Sequence, residues 1–190
     1  MQEPQLTPLF SPDEIASKVR EIGAEIARDF QGQEPVLICV LQGAFVFFAD
    51  LVRELSLPVH CDFIQASLYE GGVEGSERVE IVRDLGSEIG GRPVIIVEDI
   101  VDSGRTARTL LDRFAARNPK ELHLCSLLDK PLRRKIEVPI RYRGFVVPDR
   151  FIVGYGLDLG GYYRNRPGLW SLDDPTTSDR PVPAHPPPPR

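Results

Sequence analysis

Three short, continuous apolar segments constrain the fold of this chain more than any other feature of its sequence. They are VLICVL at residues 36–41, VIIVE at 94–98 and ELHLCSLL at 121–128. Runs of this length are too short for typical helices and lack the alternation of half-exposed strands, so they predict buried strands. Helical patterns follow at 44–55 and from about 105 to 117. Strands that alternate with helices predict an α/β fold with a doubly wound, mainly parallel sheet.

Further elements are predicted around this sheet. Ser11, Pro12 and Glu14 mark a helix start, since serine can cap, proline suits the first turn and glutamate completes a capping box. Residues 67–78 contain three glycines and little apolar material, which predicts a mobile loop. Four more strands are predicted, the last two as a hood over the sheet edge: residues 59–65, 79–82, 144–147 and 151–155.

Composition is typical of a globular protein, with 42% hydrophobic and 27% charged residues among 190. We expect one domain at 1–172 and a disordered, proline-rich tail at 173–190, which carries too little apolar surface to offset the entropy of ordering. No apolar stretch approaches the roughly 20 residues that span a bilayer, and the first residues lack a signal-peptide pattern. This predicts a cytoplasmic protein without a membrane partner. Three residues in apolar strands are interpreted as small core residues: Cys39, Cys61 and Cys125.

The strand at 94–98 leads into a motif with two chemical halves, EDIVDSGRT at residues 98–106. Glu98 and Asp99 form the acidic half, and carboxylates accept hydrogen bonds from sugar hydroxyls and help to hold hydrated Mg²⁺. The other half places small side chains and free N–H groups at a predicted helix N-terminus, which favours phosphate; it consists of Ser103, Gly104 and Thr106. The alternative is that Asp102 only caps the helix and the acidic pair is solvated. A phosphorylated sugar satisfies both halves.

These residues resemble the phosphoribosyl diphosphate (PRPP) motif of type I phosphoribosyltransferases, and more narrowly that of the hypoxanthine-guanine enzymes. The resemblance extends over residues 11–166, where LQGAFVFFADLVREL, FIQASLYEGG, LLDKP and PDRFIVGYGLDLGGYYRNRP are similar to family segments in the same order. It implies a type I phosphoribosyltransferase fold and Mg²⁺-dependent transfer of phosphoribosyl from PRPP to a 6-oxopurine, hypoxanthine or guanine, with release of pyrophosphate. It further implies purine salvage by a homodimer or homotetramer.

The resemblance also implies roles for individual residues. Glu98 and Asp99 would hold the ribose hydroxyls and Mg²⁺, and Asp102 would accept the proton from purine N7. The 5′-phosphate would be bound by Asp102, Ser103, Gly104, Arg105 and Thr106. Lys130 would donate to the purine 6-oxo group, and Asp158 would reach a second Mg²⁺. The residues implied in purine binding are Lys130, Phe151, Ile152 and Asp158.

Two loops complete the implied site. Pyrophosphate binding is implied for Gln42, Gly43 and Arg164, and a cis peptide at 41–42 would be diagnostic of this loop. A flexible loop that closes over the site is implied for Ser67, Leu68 and Tyr69. Gln42 stands where some relatives have lysine, which predicts weaker charge assistance to pyrophosphate. Leu68 stands where serine often precedes the tyrosine, and it cannot donate that hydroxyl.

Two alternatives remain open. One is a non-catalytic PRPP sensor that regulates nucleic-acid binding, which would gain support if the arginines at 133, 134, 141 and 143 formed one face. The net charge of −5 argues against a dominant nucleic-acid surface, and no nucleic-acid partner is expected. The other alternative is a transferase that prefers xanthine or a pyrimidine.

Overall fold

The structure, a computed structural model, describes residues 6–70 and 77–172. Strands and helices alternate through the middle of the chain, as the sequence predicts. The elements are β1 Leu6–Phe10, α1 Pro12–Asp29, β2 Val36–Leu41, α2 Phe45–Glu54, β3 His60–Glu70, β4 Glu77–Arg83, β5 Pro93–Val101, α3 Arg105–Ala115, β6 Glu121–Asp129, a 3₁₀ helix Pro131–Arg133, β7 Tyr142–Val146, β8 Ile152–Val153 and β9 Leu169–Leu172.

Six strands form the main sheet in the order β4-β3-β2-β5-β6-β7. Neighbouring strands run parallel from β3 to β7, whereas β4 pairs antiparallel with β3 at one edge. Helices α1 and α2 cover one face of this sheet, and α3 covers the other. The predicted α/β fold with a mainly parallel sheet is therefore confirmed.

The central strands are apolar on both faces because helices cover both faces. In β2, Leu37 and Cys39 pack on the side of α1 and α2, whereas Val36 and Ile38 pack on the side of α3. All four side chains are fully buried. Each buried aliphatic side chain contributes about 1.5–3 kcal/mol. This burial holds the carboxyl ends of the central strands at one edge of the sheet, and ligands bind beyond such ends.

The start of α1 confirms the predicted capping box. The backbone N–H of Glu14 donates to Ser11 Oγ at 3.3 Å, and the backbone N–H of Ser11 donates to Glu14 Oε2 at 2.8 Å. Pro12 occupies the first turn. The apolar stripe on α1 faces the sheet through Ile15, Val19, Ile22 and Ile26.

The predicted hood is wrong in part. β7, expected in the hood, is the last strand of the main sheet, where it runs parallel to β6. Gly144 allows this close pairing, because a Cβ atom there would lie 2.3 Å from the carbonyl oxygen of Leu127. The hood is a separate antiparallel sheet in the order β1-β9-β8. The sequence analysis did not predict β1 or β9, which are short and gain partners only through contacts distant in sequence.

The predicted loop at 67–78 is also wrong at both ends. β3 continues through Glu70 and β4 begins at Glu77, so that Ser67 pairs with Glu80 and Tyr69 with Arg78. The antiparallel partner supplies the backbone hydrogen bonds that a single-strand pattern does not reveal. The glycine-rich part, 71–76, lies outside the described residues, as does the predicted tail at 173–190.

Two of the three cysteines are core residues, as predicted. Cys39 and Cys125 are fully buried, and burial raises the pKa of the Cys39 thiol to about 12. The prediction is wrong for Cys61, which is exposed. Cys61 pairs in register with the buried Leu37 of the neighbouring strand, yet its own side chain remains exposed. In the part of the chain that the structure describes, no helix is both long and apolar enough to cross a bilayer.

One ion-pair cluster joins the end of α3 to the segment after β4. Asp84 accepts hydrogen bonds from Arg113 and from Arg117, and also from the backbone N–H of Leu85. Burial raises the pKa of Asp84, but these hydrogen bonds outweigh burial and hold the pKa at about 2. The folded protein therefore binds a proton at Asp84 less readily than the unfolded chain.

Asp84→Asn should lower the free energy of unfolding near pH 7 by about 1 kcal/mol, because the three side chains are 30–40% exposed and solvent screens the interaction. The stabilisation is present above the unfolded pKa near 4 and disappears as pH falls toward 2. Thermal unfolding at pH 7, 4 and 3 measures this loss. Asp112→Asn, which removes the exposed pair with Arg108 on the same helix, is the control and should cost less than about 0.5 kcal/mol. An unchanged difference at pH 3 would contradict the assignment.

Candidate active site

The carboxyl ends of β2, β5 and β6 border two adjoining cavities. The first, of about 410 Å³, is lined by residues of the predicted ribose-phosphate site, Glu98, Asp99, Asp102, Ser103, Gly104 and Thr106. The second, of about 450 Å³, is lined by residues of the predicted pyrophosphate and purine sites, Gln42, Gly43, Lys130, Phe151, Ile152, Asp158 and Arg164. Asp99 and Asp102 line both cavities. The structure thus places the predicted base between the two predicted substrate sites.

The turn where β5 leads into α3 lines the first cavity. Gly104 is the N-cap of α3 and has a left-handed backbone with φ 84°. A Cβ atom at this position would lie 2.1 Å from the carbonyl oxygen of Ile136, so the packing requires glycine. Behind Gly104, the first N–H groups of α3 point out of the helix, and their partial positive charge favours an anion. Arg105 begins α3 but does not line either cavity.

The acidic pair lies within β5 and not in the turn after it. Glu98 is only 6% exposed, and the carboxylate of Asp99 occupies the space above Gly43, where a Cβ atom would lie 1.6 Å from Asp99 Oδ2. Burial raises the pKa of Glu98 well above its ordinary value, and the neighbouring charge of Asp99 raises it further. Burial also raises the pKa of Asp99, although the backbone N–H of Ile100 opposes the shift.

These carboxylates fit a divalent cation. Two adjacent, desolvated carboxylates repel each other, and a bound cation would offset the cost of burying their charge. Their oxygen atoms are the ligands that Mg²⁺ prefers, with water and substrate oxygens in the remaining positions. Asp158 lines the second cavity. No cluster of three or more side chains with metal-ligating groups occurs in the described ranges, so the protein alone does not form a closed cage.

Asp102 faces two cations. Its Oδ2 lies 3.8 Å from Lys130 Nζ and 3.6 Å from Arg133 Nη1. Lys130 is only 5% exposed, and burial lowers its pKa while the charge of Asp102 opposes that shift. Arg133 is about half exposed and also pairs with Asp149 at 3.4 Å. The carboxylate of Asp102 therefore lies close to two cationic side chains at the junction of the cavities.

The predicted pyrophosphate residues are linked to the hood. Arg164 Nη1 donates to the carbonyl oxygen of Gly156 at 2.6 Å, and Nη2 lies 2.7 Å from Asp158 Oδ1. Arg164 Nη2 also donates to Gln42 Oε1 at 3.4 Å. The peptide bond between Leu41 and Gln42 is cis, as the resemblance implies.

Comparison with known proteins identifies the family. Residues 9–159 match the phosphoribosyl transferase domain family. The chain belongs to the phosphoribosyltransferase family. The predicted family and fold are therefore confirmed.

Relatives of this phosphoribosyltransferase agree with the match. It is 44% identical to the hypoxanthine phosphoribosyltransferase of Salmonella typhimurium over 81% of this chain and 88% of that protein. It is similar to the crystal structure of a hypoxanthine-guanine phosphoribosyltransferase from Bacillus anthracis, with 46% identity, a TM-score of 0.84, and coverage of 90% of this chain and 99% of that chain. It is 43% identical to the bifunctional protein TilS/HprT of Listeria monocytogenes over 86% of this chain, but it spans only 25% of that relative.

Three basic residues at the site of this phosphoribosyltransferase were not predicted as site residues. Arg133 lines both cavities, Lys135 lines the first, and Arg134 lies buried behind the loop that carries Asp102. The basic run RRK at residues 133–135, which follows LLDKP after one leucine, is the signal that could have found them. On the flexible-loop side, Ala66 of β3 lines the first cavity, whereas Ser67 does not. The side chains of Leu68 and Tyr69 lie outside the described part of the chain.

Gly104→Ala should lower the free energy of unfolding by at least about 2 kcal/mol, because the left-handed backbone and the contact with Ile136 both oppose a side chain. Urea unfolding measures the effect. Gly91→Ala is the matched control, since Gly91 also has a left-handed backbone, with φ 70°, but a Cβ atom there meets nothing within 4 Å. It should cost about 1 kcal/mol. Equal losses would show that packing at Gly104 contributes nothing.

Proposed function

We propose that this phosphoribosyltransferase acts in purine salvage and transfers phosphoribosyl from PRPP to hypoxanthine, guanine or both, giving IMP or GMP and pyrophosphate. The position of Asp102 at the junction of the two cavities carries the proposal. On one side lie a helix N-terminus, the buried carboxylate of Glu98 and the half-buried carboxylate of Asp99, and on the other lie a buried lysine and Phe151. A base at this junction can reach a purine while the ribose phosphate occupies the first cavity.

PRPP binds through the first cavity in this proposal. The N-terminus of α3 binds the 5′-phosphate, because its free N–H groups and dipole favour an anion. Glu98 and Asp99 accept hydrogen bonds from the ribose hydroxyls. When bound beside Glu98 and Asp99, and at Asp158, Mg²⁺ supplies positive charge that stabilises the leaving pyrophosphate. Gln42, Gly43 and Arg164 orient the pyrophosphate at the entrance of the second cavity.

The purine binds in the second cavity. Phe151 stacks on the ring, Ile152 offers backbone groups to its edge, and Lys130 donates to the 6-oxo group. Burial of the Lys130 ammonium supports this role, because a desolvated cation requires an acceptor. Adenine presents an amino group at that position and cannot accept from Lys130, so the site favours 6-oxopurines.

Asp102 acts as the general base. Purine N9 attacks the anomeric carbon of the ribose, the bond from that carbon to the pyrophosphate oxygen breaks, and the proton on N7 passes to the Asp102 carboxylate. Lys130 and Arg133, at 3.8 Å and 3.6 Å from Asp102 Oδ2, hold this carboxylate at the junction of the cavities. The predicted closing loop at Ser67, Leu68 and Tyr69 would exclude water from the cationic transition state.

The arrangement of the arginines does not favour the nucleic-acid sensor. Arg134 is buried, and the three others each pair with a carboxylate: Arg133 with Asp102 and Asp149, Arg141 with Asp29 and Arg143 with Asp129. They do not form one free basic face. Salt-dependent binding of RNA or DNA would revive this alternative.

We also propose a homodimer or homotetramer. Large apolar side chains remain exposed beside the site and on α2, among them Phe45 at 45%, Leu132 at 80% and Tyr162 at 75%. A groove next to Phe45 is lined by residues of α1 and α2 and by residues 155 and 164–167. Exposed apolar side chains beside such a groove support contacts between copies of the chain.

The substrate assignment predicts that PRPP and Mg²⁺ support nucleotide formation from hypoxanthine or guanine, with adenine inactive. Competition among hypoxanthine, guanine, xanthine and uracil in one assay, read by chromatography of the nucleotides, measures preference. Product from xanthine or uracil in preference to both 6-oxopurines would replace the proposed substrate. The absence of any nucleotide product would overturn the proposed activity.

Asp102→Asn should lower kcat about 10²- to 10⁴-fold and change KM for PRPP much less, because the amide keeps the shape but cannot accept the proton. Steady-state kinetics measures both parameters. Asp149→Asn is the matched control, since Asp149 also pairs with Arg133 but lines neither cavity. It should leave kcat within about threefold of the original enzyme. Equal losses in kcat and in PRPP affinity would assign Asp102 to binding.

A further inference from the structure

The segment after β6 wraps around the loop that carries Asp102. The backbone N–H of Lys130 donates to the carbonyl oxygen of Val101 at 3.0 Å. The backbone N–H groups of Lys135 and Ile136 both donate to the carbonyl oxygen of Ser103, each at 3.0 Å. The loop from Val101 to Ser103 is therefore held from outside as well as by its own strand.

The side chain of Arg134 supplies further hydrogen bonds to the backbone of this loop. Its Nε donates to the carbonyl oxygen of Asp102 at 3.0 Å, and its Nη2 donates to the carbonyl oxygen of Val101 at 3.1 Å. Nη2 also donates to Asp129 Oδ1, the last residue of β6. Two consecutive carbonyl groups and one carboxylate thus surround a single guanidinium.

Burial makes this arrangement rigid. The side chains of Arg134 and Asp129 are only 7% and 5% exposed. A buried ion pair is tolerated only when hydrogen bonds satisfy it, and loss of one partner leaves an uncompensated charge. The planar fork of arginine meets several acceptors at once, which lysine cannot do. Arg143, about half exposed, binds the other oxygen of Asp129 at 3.1 Å but does not contact the loop.

The contacts determine how the peptide groups of the loop are oriented. In a planar trans peptide, the carbonyl and the following N–H point in opposite directions. Because Arg134 holds the carbonyl groups of Val101 and Asp102, it also directs the N–H groups of Asp102 and Ser103 away from itself. Both of these residues line the first cavity. Together with the backbone hydrogen bonds from Lys130, Lys135 and Ile136, a side chain that lines neither cavity therefore orients the proposed base and part of the proposed phosphate site.

We propose that Arg134 is a positioning residue for the phosphoribosyl transfer, held by Asp129, which orients the backbone of Asp102 and Ser103 for reaction. The proposal rests on the proposed transferase function. Arg134 contacts no substrate; it acts through Asp102. Small errors in the position of a reacting group lower the rate by up to about 100-fold, which sets the size of the expected effect.

The central experiment compares Arg134→Lys with Arg143→Met. Arg134→Lys keeps the buried charge but cannot reach all three acceptors, and it should lower kcat by about 10- to 100-fold with KM for PRPP and purine within about threefold. Arg143→Met removes the other partner of Asp129 without touching the loop, and it should leave kcat within about threefold. Similar kcat losses in both variants would overturn the proposal, because the loop contacts would then be irrelevant.

A double-mutant cycle separates positioning from general destabilisation. If Arg134 acts through Asp102, then adding Arg134→Lys to Asp102→Asn should lower single-turnover rates by less than about threefold beyond Asp102→Asn alone. A purely structural role predicts that the two losses multiply, and that result would contradict the proposal.

Hydrogen exchange of backbone amides gives a readout that does not need activity. Arg134→Lys should accelerate exchange at least 10-fold at the N–H groups of Lys130, Lys135 and Ile136, which donate to the loop carbonyl groups, whereas Arg143→Met should not. Unchanged exchange in Arg134→Lys overturns the positioning role even if the enzyme is active. An original enzyme that forms no nucleotide, together with accelerated exchange at these three N–H groups, would instead refute the proposed function and leave the loop contact established.

Discussion

Burial of β5 between β2 and β6 is the constraint on which the rest of the structure depends. Its residues from Val94 to Val97 are fully buried, with alternate side chains packed against helices on opposite faces. The strand cannot shift without exposing apolar surface on both sides. Its carboxyl end therefore projects Glu98 and Asp99 at a fixed place beside Gly43 of the neighbouring loop. The helix N-terminus that follows is fixed for the same reason.

The carboxylates and the cations of the site lie at the carboxyl ends of two neighbouring strands. The acidic pair is in β5 and Asp102 directly follows that strand, whereas the segment after β6 contributes a run of cations that includes Lys130, Arg133 and Arg134. Glu98 is buried and Asp99 is half-buried, and burial raises the pKa of both carboxyl groups, so the proposed divalent cation would offset the cost of burying their charge. Asp102, by contrast, lies between cations. In the proposed function, these carboxylates have two different roles, since the acidic pair would hold the metal and Asp102 would accept the proton.

The structure gives a physical account of Gln42, which departs from the family pattern. Gln42 brings no positive charge to the pyrophosphate loop, but its side-chain carbonyl accepts a hydrogen bond from Arg164. Arg164 in turn pairs with Asp158 and binds the backbone of Gly156. The positive charge proposed to bind pyrophosphate is therefore that of Arg164, which lies between β8 and β9, and the loop at residues 41–43 contributes none. Close approach of Gly156 to the carbonyl oxygen of Gly43, where a Cβ atom would lie at 2.2 Å, holds the hood segment against the loop.

The sequence by itself determined the alternation of buried strands and helices, the capping box of α1, and the turn from β5 into α3, because each depends on residues that are neighbours in the chain. Through its resemblance to a known family, the sequence also predicted most of the polar side chains that line the two cavities, but not Arg133 or Lys135. Only the tertiary structure decided that β7 completes the main sheet, that β1 and β9 form the hood, and that Arg134 holds the loop of Asp102. Those outcomes depend on hydrogen bonds between residues far apart in sequence, or on the burial of a charged group. The sequence pattern of a short segment shows neither.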